Sequence, residues 1–177
     1  MKTLIRQEEP QDFDTVREVV RSAFATSPHT DGNEHNLVEK LRNSDAFIPK
    51  LSLVAILDDK IVGHLMMTMV TIENDEETVD SLGLAPLSVL PEYQNRGVGG
   101  ALVHRAFADA KKLGFESVVV LGDPGYYSRF GFTRADELDI EPDFKVPPEY
   151  FLVCALRAGA LNDVYGTAVY AKEFYEE

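Results

Sequence analysis

Between residues 80 and 121 the sequence predicts a strand, a glycine-containing turn, a long helix and a second strand in direct succession. The helix is predicted over Val98 to Leu113, where apolar residues recur on one face and Gly114 follows the last turn. The second strand, residues 117–121, has no polar alternation, which is typical of a strand buried on both faces. This order predicts a parallel strand pair joined by a helical crossover.

The rest of the chain predicts further strands and helices in mixed order. Apolar or alternating runs predict strands over residues 3–7, 51–57, 61–72, 80–90 and 150–156, and a strand that begins at Phe132. Helical spacing of apolar residues predicts two early helices, residues 10–24 and 33–43, and a short helical turn over 126–130. Hairpin loops are expected at 58–60 and 73–77, a proline-rich loop at 141–148 and an added edge strand at 164–170. The sum is an α/β domain on a mixed sheet.

The length of 177 residues suits one domain over residues 1–177, because it leaves little room for a second core and a linker. The composition, 45% hydrophobic and 27% charged, is that of a globular protein. The first ten residues contain no apolar run long enough for a signal peptide, and no run reaches the ~20 apolar residues that a spanning helix needs, so neither is expected. Cys154 is the only cysteine, so intrachain disulfides are excluded and a cytoplasmic location is expected.

The charge balance narrows the class of partner. The chain has 17 basic and 30 acidic residues, a net charge of -13. It therefore lacks the basic footprint of a nucleic-acid-binding protein, and neither nucleic acid nor a membrane is expected as a partner. The acidic excess weakly favours an amine ligand, and the sequence allows a homodimer.

The turn before the long helix predicts an anion site. Residues 87–101 read Leu-Ser-Val-Leu-Pro-Glu-Tyr-Gln-Asn-Arg-Gly-Val-Gly-Gly-Ala. Free amides at a helix start attract a phosphate, and glycines let it approach the backbone. Gly99 is not followed by Lys-Ser or Lys-Thr, and Leu102 stands where a dinucleotide fingerprint needs glycine, so both nucleotide motifs are absent. The glycines alone are equally well explained by a tight turn and close helix packing.

Two motifs resemble a known family. Gln94-x-x-Gly97-x-Gly99 resembles the acetyl-CoA pyrophosphate loop of the GNAT N-acetyltransferase superfamily, and Tyr127 to Phe132 resembles its Tyr-x-x-x-Gly-Phe signature. The segment from Leu121 to Phe132 further resembles a bacterial subgroup of predicted N-acetyltransferases. The likeness spans most of the chain and is strongest from Leu82 to Phe132.

The resemblance implies a mixed, mostly antiparallel sheet flanked by helices, with a splayed parallel strand pair that forms the coenzyme cleft. It explains Pro86 as part of a bulge in the strand before the loop, and it implies that acetyl-CoA is a co-substrate without a metal. The residues that it places against the coenzyme are Leu87, Ser88, Val89, Gln94, Asn95, Arg96, Gly97, Val98, Gly99 and Gly100. The implied reaction is direct acetyl transfer to a primary amine of a small molecule or peptide.

The resemblance also suggests Tyr127 as the acid that protonates the departing thiolate, with Tyr126 as its rival. The general base stays unassigned, because residues 81–90 contain no carboxylate or histidine. Groups that can act through water are Glu34, His64, Glu73, Asp80 and Asp123. The missing carboxylate keeps an alternative open, a coenzyme A binding module without catalysis. No His or Cys grouping has metal-ligand spacing. His29 and His35 lie in one loop-to-helix segment, where histidines are more often solvated than bound to a metal.

Overall fold

The computed structural model describes residues 2–25 and 32–176, and its strands form one sheet. The strands are β1 Leu4–Gln7, β2 Ser52–Leu57, β3 Lys60–Glu73, β4 Thr78–Val89, β5 Ser117–Leu121, β6 Thr133–Arg134, β7 Ile140–Pro142, β8 Phe151–Ala155 and β9 Gly166–Val169. The α-helices are α1 Phe13–Phe24, α2 Glu34–Arg42, α3 Val98–Lys112 and the single turn α4 Pro124–Tyr127. No described helix is both long and apolar enough to cross a membrane.

The main path of the sheet runs β1-β2-β3-β4-β5-β8-β6. Its neighbours are antiparallel except for β4 and β5, which are parallel and are joined by α3. This confirms the predicted crossover and the mixed, mostly antiparallel sheet.

The parallel pair separates after two residues of pairing. Leu82 pairs with Val118 and Gly83 with Val119, whereas β4 continues to Val89 against β3 alone. The register of β3 and β4 shifts between Leu65 and Met67, so β4 carries a bulge there as Pro86 predicted. The diverging strands leave an opening beside the second half of β4.

Each face of the sheet has its own apolar core. The α3 face is packed by residues such as Leu53, Leu65 and Leu102, all fully buried. Part of the opposite face is covered by α1 and α2, where Val20 and Leu41 pack on strand residues such as Val54 and Met66, and a separate cluster from the C-terminal third covers another part.

Two expectations for the C-terminal third were wrong. The proline-rich segment was expected to be a loop throughout, but Ile140–Pro142 forms β7, which pairs in parallel with β9. The predicted edge strand β9 is enclosed instead, because it pairs with β3 on one side and with β7 on the other. Pro142 tolerates this position because β7 has only one strand partner among the described residues.

Candidate active site

A cleft of about 660 Å³ lies where β4 and β5 diverge, bounded by α3 and α4. The residues that line it are Leu87, Val89, Tyr93, Gln94, Asn95, Gly97, Val98, Gly99, Gly100, His104, Tyr126, Tyr127, Arg129 and Phe130. They bring together the glycine-rich turn and the tyrosine segment, which are separated in sequence by α3 and β5.

The first turn of α3 opens into this cleft. Gly97 precedes the helix with a φ of 82°, a left-handed conformation that glycine adopts without strain. The first intrahelical bond joins the Ala101 amide to the Gly97 carbonyl at 3.0 Å, so the amides before Ala101 have no acceptor within the helix. The first turn carries no acidic residue that would compete for them. An anion can therefore bind at this helix start.

Gly99 lies in close contact with α4. A Cβ atom at this position would lie 2.5 Å from the Tyr126 hydroxyl oxygen. Any larger side chain would displace Tyr126 or fill the space above the helix start.

The turn itself is anchored to the end of β4. The Gln94 side-chain amide donates a hydrogen bond to the Val89 carbonyl at 3.1 Å. Asn95 has a φ of 62°, which bends the chain between the strand and Gly97. The strand end and the helix start are thus held at a fixed separation.

Tyr126 and Tyr127 occupy different parts of the cleft wall. The two rings meet edge to face with centroids 5.1 Å apart. Tyr127 packs between Tyr126 and Phe132, and desolvation by burial raises the pKa of its hydroxyl well above the usual range. Tyr126 is half-buried, and burial raises the pKa of its hydroxyl as well. Both phenols hold their proton at neutral pH.

Eight of the ten residues predicted to contact the coenzyme line the cleft, and Tyr127 lines it too. Ser88 does not, because alternation turns its side chain to the other face of the sheet, where it is 1% exposed. Arg96 also lies outside the lining, with its guanidinium 5.2 Å from the centroid of the Tyr93 ring.

Sequence reasoning missed two residues of the wall, His104 and Arg129. His104 lies one helical turn after Gly100, and its ring contacts Phe130 edge to face. The spacing of four residues from Gly100 was the available signal. The Arg129 guanidinium stacks 4.6 Å from the centroid of the Tyr126 ring, and its Nε donates to the Tyr126 carbonyl at 2.9 Å. This contact depends on a turn too short to show a period.

The five groups considered as bases are absent from the lining residues. Asp123 caps α4 by accepting a hydrogen bond from the Gly125 amide at 2.9 Å. Glu73 and Asp80 lie near the hairpin end of β3 and β4, remote from Val89, and Glu34 begins α2. His64 is fully buried. The described residues contain no group of three His, Cys, Asp or Glu side chains able to hold a metal, and His29 lies outside them.

The chain is similar to several named proteins. Residues 4–135 match the family described as an acetyltransferase (GNAT) domain. The uncharacterized N-acetyltransferase YhbS of Escherichia coli K12 is 33% identical over 172 residues, which cover 97% of this chain and 98% of YhbS. The uncharacterized N-acetyltransferase YjhQ of the same strain is 35% identical over 140 residues, 78% of this chain and 75% of YjhQ.

Two solved structures are also similar to this chain. The Escherichia coli YhbS structure in complex with CoA superposes with a TM-score of 0.89 at 31% identity and covers 99% of this chain and 93% of that one. A GNAT family acetyltransferase of Brucella melitensis in complex with acetyl-CoA has a TM-score of 0.78 at 34% identity, with 98% of each chain covered.

Proposed function

Because the chain belongs to the GNAT acetyltransferase family, we propose that it moves the acetyl group of acetyl-CoA directly to a primary amine of a small molecule or peptide. The chain is an acetyl-CoA-dependent N-acyltransferase, so acetyl-CoA is a substrate rather than a resident cofactor. The observation that carries the proposal is the set of unpaired amides at the start of α3, inside a cleft between diverging parallel strands.

The coenzyme would lie along the strand and the helix start. Its pyrophosphate would accept hydrogen bonds from the amides of Val98, Gly99 and Gly100. Its pantetheine arm would run beside Leu87 to Val89, where β4 has no partner on the β5 side among the described residues. Arg129 lines the same cleft and Arg96 flanks it, so these two side chains would offset the phosphate charge.

The chemistry needs a polarised thioester and a proton for the leaving thiolate. The Leu87 amide would hydrogen-bond the thioester carbonyl oxygen as negative charge develops on it. The amine nitrogen then bonds to the carbonyl carbon and loses a proton, the carbon–sulfur bond breaks, and the sulfur takes a proton. Tyr127 would supply it, because its hydroxyl is protonated at neutral pH and its ring lines the cleft. Tyr126 suits the phosphate end instead, since its hydroxyl lies against Gly99.

One feature of the cleft fits the alternative that the sequence left open, a coenzyme A binding module without catalysis. The described lining of the cleft contains no carboxylate. A protein that binds the coenzyme but cannot deprotonate an amine would have this composition.

The test is a screen for free thiol released from acetyl-CoA in the presence of small amines, antibiotics that carry amino groups, and peptides. Thiol release that requires an amine supports the proposed transfer, and the best acceptor identifies its class. Coenzyme binding without release for any acceptor would favour the binding module. Release with alcohols or thiols alone would show that the acceptor class is wrong.

A further inference from the structure

A buried polar cluster lies on the sheet face covered by α1 and α2, opposite to α3. It consists of Glu8, Arg42, Ser52 and His64. The Arg42 guanidinium donates two hydrogen bonds to the Glu8 carboxylate, at 3.1 and 2.6 Å, and both side chains are nearly inaccessible. A buried ion pair with this geometry holds the carboxylate in place as a hydrogen-bond acceptor.

The hydrogen bonds of Ser52 define the tautomer of His64. The Ser52 hydroxyl donates its only proton to Glu8 Oε1 at 2.9 Å. It therefore meets His64 Nε2, 3.1 Å away, as an acceptor, and Nε2 must carry the hydrogen. In the neutral ring Nδ1 is then a lone pair that can accept a proton.

That lone pair has no partner in the described part of the chain. His64 Nδ1 is buried without a hydrogen bond, and so is Ser88 Oγ. The two residues are directly opposite each other in the register of β3 and β4, so their side chains lie on the same face with Cβ atoms roughly 5 Å apart. Leaving both groups unsatisfied is costly, whereas one buried water between them would satisfy the acceptor and the hydroxyl.

Ser88 brings this pair close to the reaction centre. Its neighbours Leu87 and Val89 both line the cleft, so a single strand separates the cleft from the Ser88 hydroxyl. The β5 side of this segment is unpaired in the described structure, which leaves the strand edge facing the opening.

We propose that His64 is the proton acceptor for the incoming amine, reached through a buried water held between His64 Nδ1 and Ser88 Oγ. The inference rests on the proposed function. The protonated amine loses a proton to the water as its N–H bond breaks, and the water passes one of its own protons to Nδ1, which forms a new N–H bond. Burial and Arg42 disfavour the resulting positive charge, whereas Glu8, 3.7 Å from Nε2, favours it. The proton returns to solvent after product release. The nitrogen loses its second proton once its bond to the carbonyl carbon has formed, and that proton replaces the one that Tyr127 gives to the sulfur.

His64→Gln tests the assignment, because glutamine can still donate to Ser52 but cannot accept a proton. We expect kcat at neutral pH to fall by ~10²-fold, the size typical of lost acid–base catalysis, with unchanged acetyl-CoA affinity. The deficit should shrink as the pH approaches the pKa of the free amine, because the acceptor then arrives deprotonated. An equal loss at every pH, or no loss, would overturn the relay.

Two further variants separate the relay from packing. Ser88→Ala removes the second partner of the water and should lower kcat with the same recovery at high pH. Thr68→Val is the matched control, since the Thr68 hydroxyl is also buried without a partner, on the same strand as His64. It should leave kcat unchanged. A loss in Thr68→Val equal to that in Ser88→Ala would show that only packing is affected.

Nitrogen-15 NMR of the histidines tests the tautomer of His64 in the unmodified protein, so the result does not require that a variant folds. The expected signature is a neutral ring with hydrogen on Nε2, and hydrogen on Nδ1 at neutral pH would refute the relay. If the unmodified protein acetylates no amine, the proposed function fails and the relay with it. If it is active and His64→Gln is equally active, only the relay fails.

Discussion

At the scale of single residues, the tyrosine pair tests the chemistry directly. Tyr127→Phe removes the hydroxyl but keeps the ring that packs against Phe132. If the hydroxyl protonates the thiolate, kcat should fall by ~10²–10⁴-fold with little change in coenzyme affinity, because the lost interaction belongs to the transition state. Steady-state kinetics and calorimetric titration of acetyl-CoA measure the two quantities, and thermal unfolding should shift little.

Tyr126→Phe is the matched control for this prediction. Its hydroxyl lies against Gly99 rather than deep in the wall, so we expect weaker coenzyme binding and a nearly normal kcat. The reverse pattern would assign the acid role to Tyr126. Full activity of both variants would leave no tyrosine of this segment as the acid.

Gly99→Glu tests the anion site. The new side chain would collide with Tyr126 and place a negative charge beside the helix amides, so acetyl-CoA affinity should fall at least tenfold. Gly114→Glu, at the other end of α3, makes the same chemical change in open space; its φ of 92° strains the new residue, but affinity should not change. Titration calorimetry on folded variants measures both affinities. If Gly99→Glu binds acetyl-CoA as tightly as Gly114→Glu does, the anion site is disproved.

At the scale of elements, the sequence predicted the helices and strands that have a long hydrophobic pattern or distinctive residues at their ends. The period of α3 and the apolar run of β5 together predicted the parallel crossover that the structure confirms. The pairing of β7 with β9 could not be predicted, because three residues that include Pro142 carry no period. The glycine motif likewise predicted that Gly97 and Gly99 belong to the site. Arg129 could not be predicted, because it lies in a short turn that has no repeating pattern.

A small residue lies where β4 and β5 last pair. Gly83 is the last residue of β4 that pairs with β5, and a Cβ atom there would lie 2.8 Å from Val70 and 2.9 Å from Tyr170. Gly83→Ala should therefore lower the free energy of unfolding by ~1–3 kcal/mol through overpacking. Gly100→Ala is the control, because its Cβ would meet Phe130 only at 3.8 Å, and no loss is expected. Urea denaturation measures both.

At the scale of the whole molecule, buried His64 should make the fold sensitive to mild acid. Burial lowers its pKa from 6.5 to about 4, so between these values the unfolded chain binds a proton that the native protein does not. Stability should then fall as the pH drops through this window, by on the order of 3 kcal/mol. Urea denaturation from pH 7 to pH 4 measures it, and His64→Gln should flatten the curve. An unchanged slope would contradict a neutral buried ring.

Asp12 changes the stability at a lower pH than His64 does, so it does not obscure the effect of His64. The hydrogen bonds from Arg6, at 2.7 and 3.1 Å, lower the pKa of the Asp12 carboxyl below its usual value. Its contribution to stability is present above the usual Asp range and is lost only as the pH falls through the lowered pKa. The two groups can therefore be separated along a single pH titration.

The net charge of -13 should act on the acceptor before it reaches the cleft. A protonated amine is attracted by the field of the whole protein, and this attraction weakens with salt because the Debye length falls from ~10 Å at 0.1 M to ~3 Å at 1 M. We expect KM for a cationic amine to rise with ionic strength while kcat changes little. An amine of low pKa, uncharged at the assay pH, is the control and should show no such rise. Equal rises for both amines would mean that salt acts on the cleft itself rather than on the approach of a cation.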